Sequence, residues 1–334
     1  MEGATRSSFA RPDVRRVNVR RHEQSVFPIA VGCANVHRVG GLRSRIASGA
    51  RSLPVLRRYP AAYVTAGIDG WRLRRQFDAV RTFVLFVGQP RTGHSLVGAL
   101  LDAHPNALVA HELDALKYVA AGYDRRRLFA LLVRQERKRV AAGHVSSSEY
   151  TYGVPGQWQG RFQRLEVIGD KKGGRSTIRL GSDIGLLDRL ADAVEVDVRV
   201  IRVVRNPYDV IATMHRRAPN RPFPDVIELF FSLEATVEQV RQRLDQRQFH
   251  EMRLEDLVSN PSGELSGLCR FLELPAPADY LEACSRIVFD APRRTRDDAP
   301  WTPELRDRIA ARSSEHPAVA RYGFGTPAAE EWTG

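Results

Sequence analysis

The stretch from Thr82 to Ser95 constrains the fold of this chain more than any other. The run Thr82-Phe83-Val84-Leu85-Phe86-Val87 is apolar on both alternating faces, and it ends in Gly88. That pattern predicts a strand covered on both sides, as the parallel strands of α/β layers are. Gln89-Pro90-Arg91-Thr92-Gly93-His94-Ser95 follows, and a helix is expected from about Ser95 to Asp102, stopped near His104-Pro105. The spacing from Gly88 to Ser95 is that of a P-loop, in the strand–turn–helix context the motif needs. Backbone N–H groups of such a turn, with the helix N-terminus, make a preformed anion site. The lysine of a nucleotide-hydrolysing loop is replaced by His94, and a cation, Arg91, stands three residues earlier. Triphosphate chemistry normally uses that lysine together with a set of Mg²⁺ ligands.

The remaining pattern alternates short apolar runs with helical periodicity, which predicts an α/β fold with a central, mainly parallel sheet flanked by helices. Further strands are expected at Ala107–Ala110, Leu165–Gly169, Val196–Val204 and Arg247–Arg253. Helices are expected at Asp124–Ala142, at Ile178–Ala193 and from Pro207 onward. A long amphipathic helix starts at Asp225, with Glu228 three residues on. Later helices cover about 261–272, 277–287 and 303–312. The polar segment Gly143–Gln163, with Tyr150, Tyr152, Trp158 and Arg161, is expected to be a long loop that helps choose a substrate.

Composition matters chiefly for what lies outside that body. The net charge is +12 over 334 residues, yet residues 1–58 alone hold 12 Arg, no Lys and three acids, for +9. This segment is expected to be a basic, disordered extension, with residues 59–330 forming a single domain. Arg20-Arg21 before Val26-Phe27-Pro28-Ile29-Ala30-Val31 leaves a targeting segment as a second possibility, without a clean cleavage site. Arginine-rich composition also suits nucleic-acid phosphates or anionic lipid. No aromatic interleaving points to a specific nucleic-acid partner. Three cysteines, Cys33, Cys269 and Cys284, exclude a disulfide scaffold and a cysteine-rich zinc site. No apolar run is long enough to span a membrane, so a soluble, cytoplasmic protein is expected. The histidines show no ligand spacing, so no metal is expected.

The segment Pro90-Arg91-Thr92-Gly93-His94-Ser95-Leu96, continued by Ala99-Leu100-Leu101-Asp102-Ala103-His104-Pro105, resembles the 5′-phosphosulfate loop of the sulfotransferases that use PAPS, 3′-phosphoadenosine 5′-phosphosulfate. The bacterial and tyrosylprotein branches are the most similar, and His94 stands where they carry a hydroxyl residue. A second motif, Arg205-Asn206-Pro207-Tyr208-Asp209-Val210 with Thr213 beyond it, resembles the 3′-phosphate motif of that family. A third, Arg253-Leu254-Glu255-Asp256-Leu257-Val258-Ser259-Asn260-Pro261, resembles its R-Y-E-D-L-x-x-N-P segment, with Leu254 in the aromatic position. The resemblance implies a P-loop-containing nucleotide hydrolase-like three-layer fold and PAPS as co-substrate. It implies cofactor contacts from Pro90, Arg91, Thr92, Gly93, His94, Ser95, Arg205 and Thr213, with Arg294 and Arg296 closing over the 3′-phosphate.

Sulfuryl transfer needs a base for the acceptor proton and cations for the leaving phosphate. The resemblance to the tyrosylprotein branch places the base at Glu112 or, one residue earlier, at His111. The segment Gly169-Asp170-Lys171-Lys172 ends the third strand, where many sulfotransferases carry a catalytic cation, so Lys171 or Lys172 is expected to act with Arg91. A small molecule, a glycan, a lipid or a tyrosine remains open as acceptor, and the oligomeric state is open. Two other classes compete. A P-loop kinase or NTPase would use Asp170 to hold Mg²⁺, and an inactive binding protein would keep the nucleotide site without turnover.

Overall fold

The computed structural model describes residues 60–143 and 152–326. The segment 1–58 with Cys33, as well as His144 and Tyr150, lies outside the described residues. Helix α1 is Pro60–Leu73, followed by β1, Thr82–Val87, α2, His94–Asp102, and β2, Ala107–His111. Helices α3, Ala115–Ala120, and α4, Arg125–Ala141, precede β3, Val167–Lys171. Then come α5, Gly173–Ser182, α6, Leu186–Val194, and β4, Asp197–Val204. Helices α7, Pro207–Arg217, and α8, Phe223–Gln242, lead to β5, Phe249–Arg253. Helices α9, Leu254–Ser259, α10, Pro261–Phe271, and α11, Ala278–Ser285, follow, and α12, Pro303–Ser314, and α13, Pro317–Ala320, complete the order.

The five strands lie in the order β2-β3-β1-β4-β5, and every pairing is parallel. The unbroken apolar run therefore occupies the centre, where both faces need cover. Its side chains alternate. Phe83, Leu85 and Val87 join a core with Phe129, Leu132, Leu180, Leu190 and Val237 from one helical layer. Val84 and Phe86 join Leu96, Leu100, Leu257, Leu268 and Tyr280 from the other. Full burial of a side chain such as Phe83 contributes about 1.5–3 kcal/mol. The sequence-based α/β three-layer expectation thus holds.

Several boundaries differ from expectation, and two of the shifts matter. The third strand runs two residues later than expected, ending at Lys171. Asp170 and Lys171 are therefore strand residues and point to opposite faces. The helix expected at Ile178–Ala193 is two helices, broken where Asp183 adopts φ −157° and ψ 90° between Gly181 and Gly185. The first of them starts at Gly173, beneath the glycine loop. The long helix α8 begins at Phe223 behind Pro222, so Asp225 lies in its first turn instead of capping it. Asp124 does cap α4, accepting from the Arg127 N–H at 3.0 Å.

Candidate active site

Parallel strands and following helices place every β-to-α turn at one end of the sheet, which is where open α/β sheets bind ligands. The turn after β1 is tightly held. Gly88 has φ +121°, and its N–H donates to Thr177 Oγ1 of α5 at 2.7 Å. Arg91 has φ +78° and Gly93 has φ +109°. A β-carbon-bearing residue in that region costs on the order of 1 kcal/mol or more, so the conformation at Arg91 is enforced by its surroundings. Among the described residues, no protein group accepts from the N–H groups of Thr92, Gly93, His94 or Ser95. Those donors lie at the start of α2, an arrangement that can serve as an anion cradle.

His94 lies beneath this cradle. Its ring packs edge-on to Phe86, and Nε2 is 3.4 Å from Thr92 Oγ1. Burial, reinforced by the charge of Lys171, brings its pKa down to about 3, so the imidazole is neutral. Gly173 and Gly174 make the room for this arrangement. A Cβ on Gly174 would stand 2.9 Å from Pro90 Cδ, and one on Gly173 would overlap the imidazole.

Lys171, Glu112, His111 and Lys172 meet beside the loop. The pleat of β3 sends Lys171 toward α2, where its stem passes the bare face of Gly98. Lys171 Nζ donates to Ser95 Oγ at 2.9 Å and to Glu112 Oε1 at 3.0 Å, and lies 3.5 Å from His111 Nε2. Lys172 Nζ donates to Glu112 Oε2 at 2.9 Å. One carboxylate thus bridges two ammonium groups. Burial pulls the Glu112 carboxyl upward, but both lysine charges and their hydrogen bonds outweigh it and bring the pKa to about 2. Burial lowers Lys171, against the opposing pull of Glu112. Burial and Lys171 together bring His111 to about 3. Glu112 and Asp114 have φ +64° and +69°, so the turn after β2 is strained as the loop after β1 is.

The Arg91 side chain makes no hydrogen bond or ion pair among the described residues. Burial lowers its pKa, as do the neighbouring charges of Arg217 and Arg216 at the end of α7, while Glu112 raises it. Arg205, at the end of β4, donates to the Arg91 carbonyl oxygen at 3.3 Å and to the Arg293 carbonyl oxygen. It therefore ties the glycine loop to the C-terminal segment. Thr213 Oγ1 donates to the Asp209 carbonyl oxygen and lies 2.8 Å from Thr295 Oγ1. Asn206 caps α7 by accepting from the Tyr208 N–H at 3.0 Å.

The segment 293–298 corrects one expectation. Arg296 does not reach over a phosphate site. It is 1% exposed, and its guanidinium pairs with Asp209 at 3.0 Å and donates to the Thr326 carbonyl oxygen. Freeing it would leave Asp209 buried and unpaired, at a cost of about 3–5 kcal/mol. Arg294 is exposed and turned toward Asp297 of its own segment at 3.1 Å. Of the segment 143–163 expected to help choose the substrate, residues 144–151 lie outside the described residues. Gly160 N–H donates to Asp102 and Trp158 N–H to the Ala103 carbonyl oxygen, so residues 152–163 sit at the far end of α2 from the glycine loop.

Asp170 does not present a free carboxylate for a metal. It is fully buried and accepts from Leu113 N–H at 2.9 Å and Ala115 N–H at 2.7 Å. Burial pushes it up to about 7 despite those two bonds. Sequence reasoning missed Thr177, whose hydroxyl fastens Gly88, and Glu136, which accepts from the His111 N–H at 2.8 Å. Glu136 is a buried acid in the apolar stripe of α4, and that was the available signal. Glu255 is structural, accepting from Asn206 N–H and the Tyr322 hydroxyl. Leu254 packs against Gly93, where a Cβ would come within 2.8 Å of it.

The family model described as the sulfotransferase family matches residues 84–278, which contain the loop, Glu112, Lys171, Arg205 and Thr213. No curated protein matches the chain. Among solved structures, the sulfotransferase domain from the curacin biosynthetic pathway is 17% identical, with TM-score 0.43, over 70% of this chain and 97% of that one. Sulfotransferase STF9 from Mycobacterium avium is 13% identical, with TM-score 0.46, over 82% of this chain and 86% of that one. Mouse sulfotransferase SULT7A1 complexed with PAP is 12% identical, with TM-score 0.40, over 73% and 88%.

Proposed function

The chain belongs to the sulfotransferase family, and on that premise we propose that it transfers a sulfuryl group from PAPS to a hydroxyl or amine acceptor. An acceptor oxygen or nitrogen attacks the sulfur, the bond from sulfur to the bridging phosphate oxygen breaks, and PAP leaves with that electron pair. The acceptor proton passes to a protein base. Residues 59–330 serve as one transferase domain.

One observation carries this proposal: Lys171 Nζ touches both the loop, through Ser95, and the carboxylate of Glu112. The donors of a 5′-phosphosulfate site and the group that takes the acceptor proton are joined through one ammonium. The N–H groups of 92–95 and the Arg91 guanidinium hold the phosphosulfate, and Arg205 and Thr213 lie on the 3′-phosphate side. Lys171 stabilises the charge that develops on the bridging oxygen. Glu112, locked between two lysines, is a weak base in the free protein. When Lys171 turns to the phosphosulfate, one of the two charges that hold Glu112 down is shared, and its basicity rises toward an ordinary carboxylate. His111, neutral and against Lys171, is the second candidate for the base.

A thermal shift with PAP compared with ATP–Mg²⁺ tests the nucleotide class. Selective stabilisation by PAP is expected, followed by transfer of label from PAPS across a panel of acceptors. Stabilisation by ATP–Mg²⁺ alone would favour the kinase class. PAP binding with no turnover on any acceptor would favour a binding protein.

A further inference from the structure

Helix α1 is built inside out. Toward the protein it presents small residues: Ala66 is buried, and a Cβ on Gly70 would come within 2.8 Å of the Arg126 carbonyl oxygen on α4. Tyr63 supplements this contact, edge-on to Tyr123 with centroids 5.2 Å apart. Leu73 also packs against the core, but three large apolar residues face away. Val64 is 55% exposed, Ile68 49% and Trp71 63%. Their spacing of four and three residues sets them in one stripe. A surface helix ordinarily buries its large apolar residues and shows polar ones. A contiguous exposed apolar stripe therefore marks a face that another surface covers.

Charge identifies that surface. Arg72, Arg74 and Arg75 close the C-terminal end of the stripe. The Arg74 guanidinium lies 4.4 Å from the centroid of the Trp71 ring and donates to the Trp71 carbonyl oxygen at 2.7 Å. The one acid of α1, Asp69, is paired with Arg134 at 3.3 Å. Directly upstream in sequence stand 12 arginines against three acids. Aliphatic side chains ending in tryptophan and arginine suit the boundary between acyl chains and headgroups. The surplus of positive charge suits an anionic one. A second copy of the chain would set this charge against itself. At 14 residues α1 is too short to cross a bilayer, and no helix of the described residues is long and apolar enough to do so.

We propose that α1 is a peripheral docking helix for an anionic membrane surface. Val64, Ile68 and Trp71 enter the headgroup boundary, and Arg72, Arg74 and Arg75 beside them meet lipid phosphates. This property is separate from sulfuryl transfer and does not rest on it.

The test is co-sedimentation of the full chain with vesicles of phosphatidylcholine alone and of phosphatidylcholine mixed with phosphatidylglycerol. The wild-type chain is expected to bind the mixed vesicles far more strongly. The triple variant Val64→Ser/Ile68→Ser/Trp71→Ser is expected to bind them at least about tenfold more weakly, since buried apolar area carries much of such affinity. It keeps every arginine, so equal binding by the variant would mean charge attraction alone and would overturn the proposal. Absence of vesicle binding by the wild-type chain would overturn it too. A wild-type dimer that the variant dissolves would assign the stripe to a second copy instead. A large loss of thermal stability in the variant would assign it to another segment of the chain.

Discussion

A Cβ on Gly173 would stand 2.2 Å from His94 Nδ1 and 2.4 Å from Cε1, so the imidazole occupies the volume a side chain at Gly173 would need. The two residues come from different β-to-α turns. They are fixed together because α5 starts directly beneath the loop after β1. A histidine fits under the loop only if the helix beside it begins with glycine. Gly173→Ala should therefore distort the loop, at the cost of about 1–3 kcal/mol typical of overpacking. His94→Ser should relieve most of that cost. In a double-mutant cycle read by thermal unfolding and PAP affinity, the pair should couple by more than about 0.5 kcal/mol. Additive effects would show that the steric relation does not shape the loop.

His94 also gives a pH signature. Its folded pKa of about 3 lies below the ordinary value of 6.5. As pH falls through 6.5, the unfolded chain takes a proton at this position and the folded chain does not, so stability drops. The contribution is about 1.4 kcal/mol per pH unit. His111 acts in the same direction, while Asp170, raised to about 7, acts in the opposite one. The quantity to measure is therefore the stability difference between wild type and His94→Ser. By urea unfolding it should shrink in favour of the variant as pH falls from about 6.5 toward 4. A difference independent of pH would contradict a buried neutral imidazole.

Arg91→Ala should abolish turnover and weaken PAPS binding with little change in melting temperature. Its guanidinium holds no protein acceptor among the described residues, and alanine inherits the same positive φ. Near-wild-type rates from folded protein would remove the loop from the mechanism.

Arg205→Ala should weaken PAP binding, by the roughly 1.5–3 kcal/mol of a charged hydrogen-bonded contact. Loss of the tie to the Arg91 and Arg293 carbonyl oxygens should add a smaller, phosphate-independent effect. The comparison is with adenosine 5′-phosphosulfate, which lacks the 3′-phosphate. Equal losses for both ligands would leave only the tie.

Glu112→Gln should lower kcat by about 10²–10⁴-fold while PAP affinity is kept, as expected for a base used only in the chemical step. The carboxamide also weakens the two lysine contacts, so a modest drop in stability is expected alongside. If His111 is the base, His111→Asn carries the loss of rate and Glu112→Gln is mild. A Glu112→Gln rate within about threefold of wild type would exclude it.

The glycine loop, the five strands and the layer architecture were legible in the chain because local pattern sets them. An apolar run with no polar face has to lie at the centre of a sheet, and a glycine turn at its end has to open a helix. The separation of Arg91 and Arg205 into two motifs was legible for the same reason. Which lysine faces the loop was not. It depends on where β3 ends, since a shift of one residue sends every side chain to the other face, and pairing with β1 and β2 sets that end. The burial of Arg296 depends on Asp209, far upstream, and period gives no sign of it. The double-lysine grip on Glu112 arises because β2 and β3 are neighbours although a long stretch of chain separates them. Helix α1 carries the helical spacing of Val64, Ile68 and Trp71 in its sequence, but that this stripe faces outward was decided by the packing of Ala66 and Gly70 toward the protein. Residue types and spacing determined the scaffold and the chemical inventory of this protein. Long-range packing alone decided which charges remain available and which are neutralised, because burial and partner choice are set by contacts between elements.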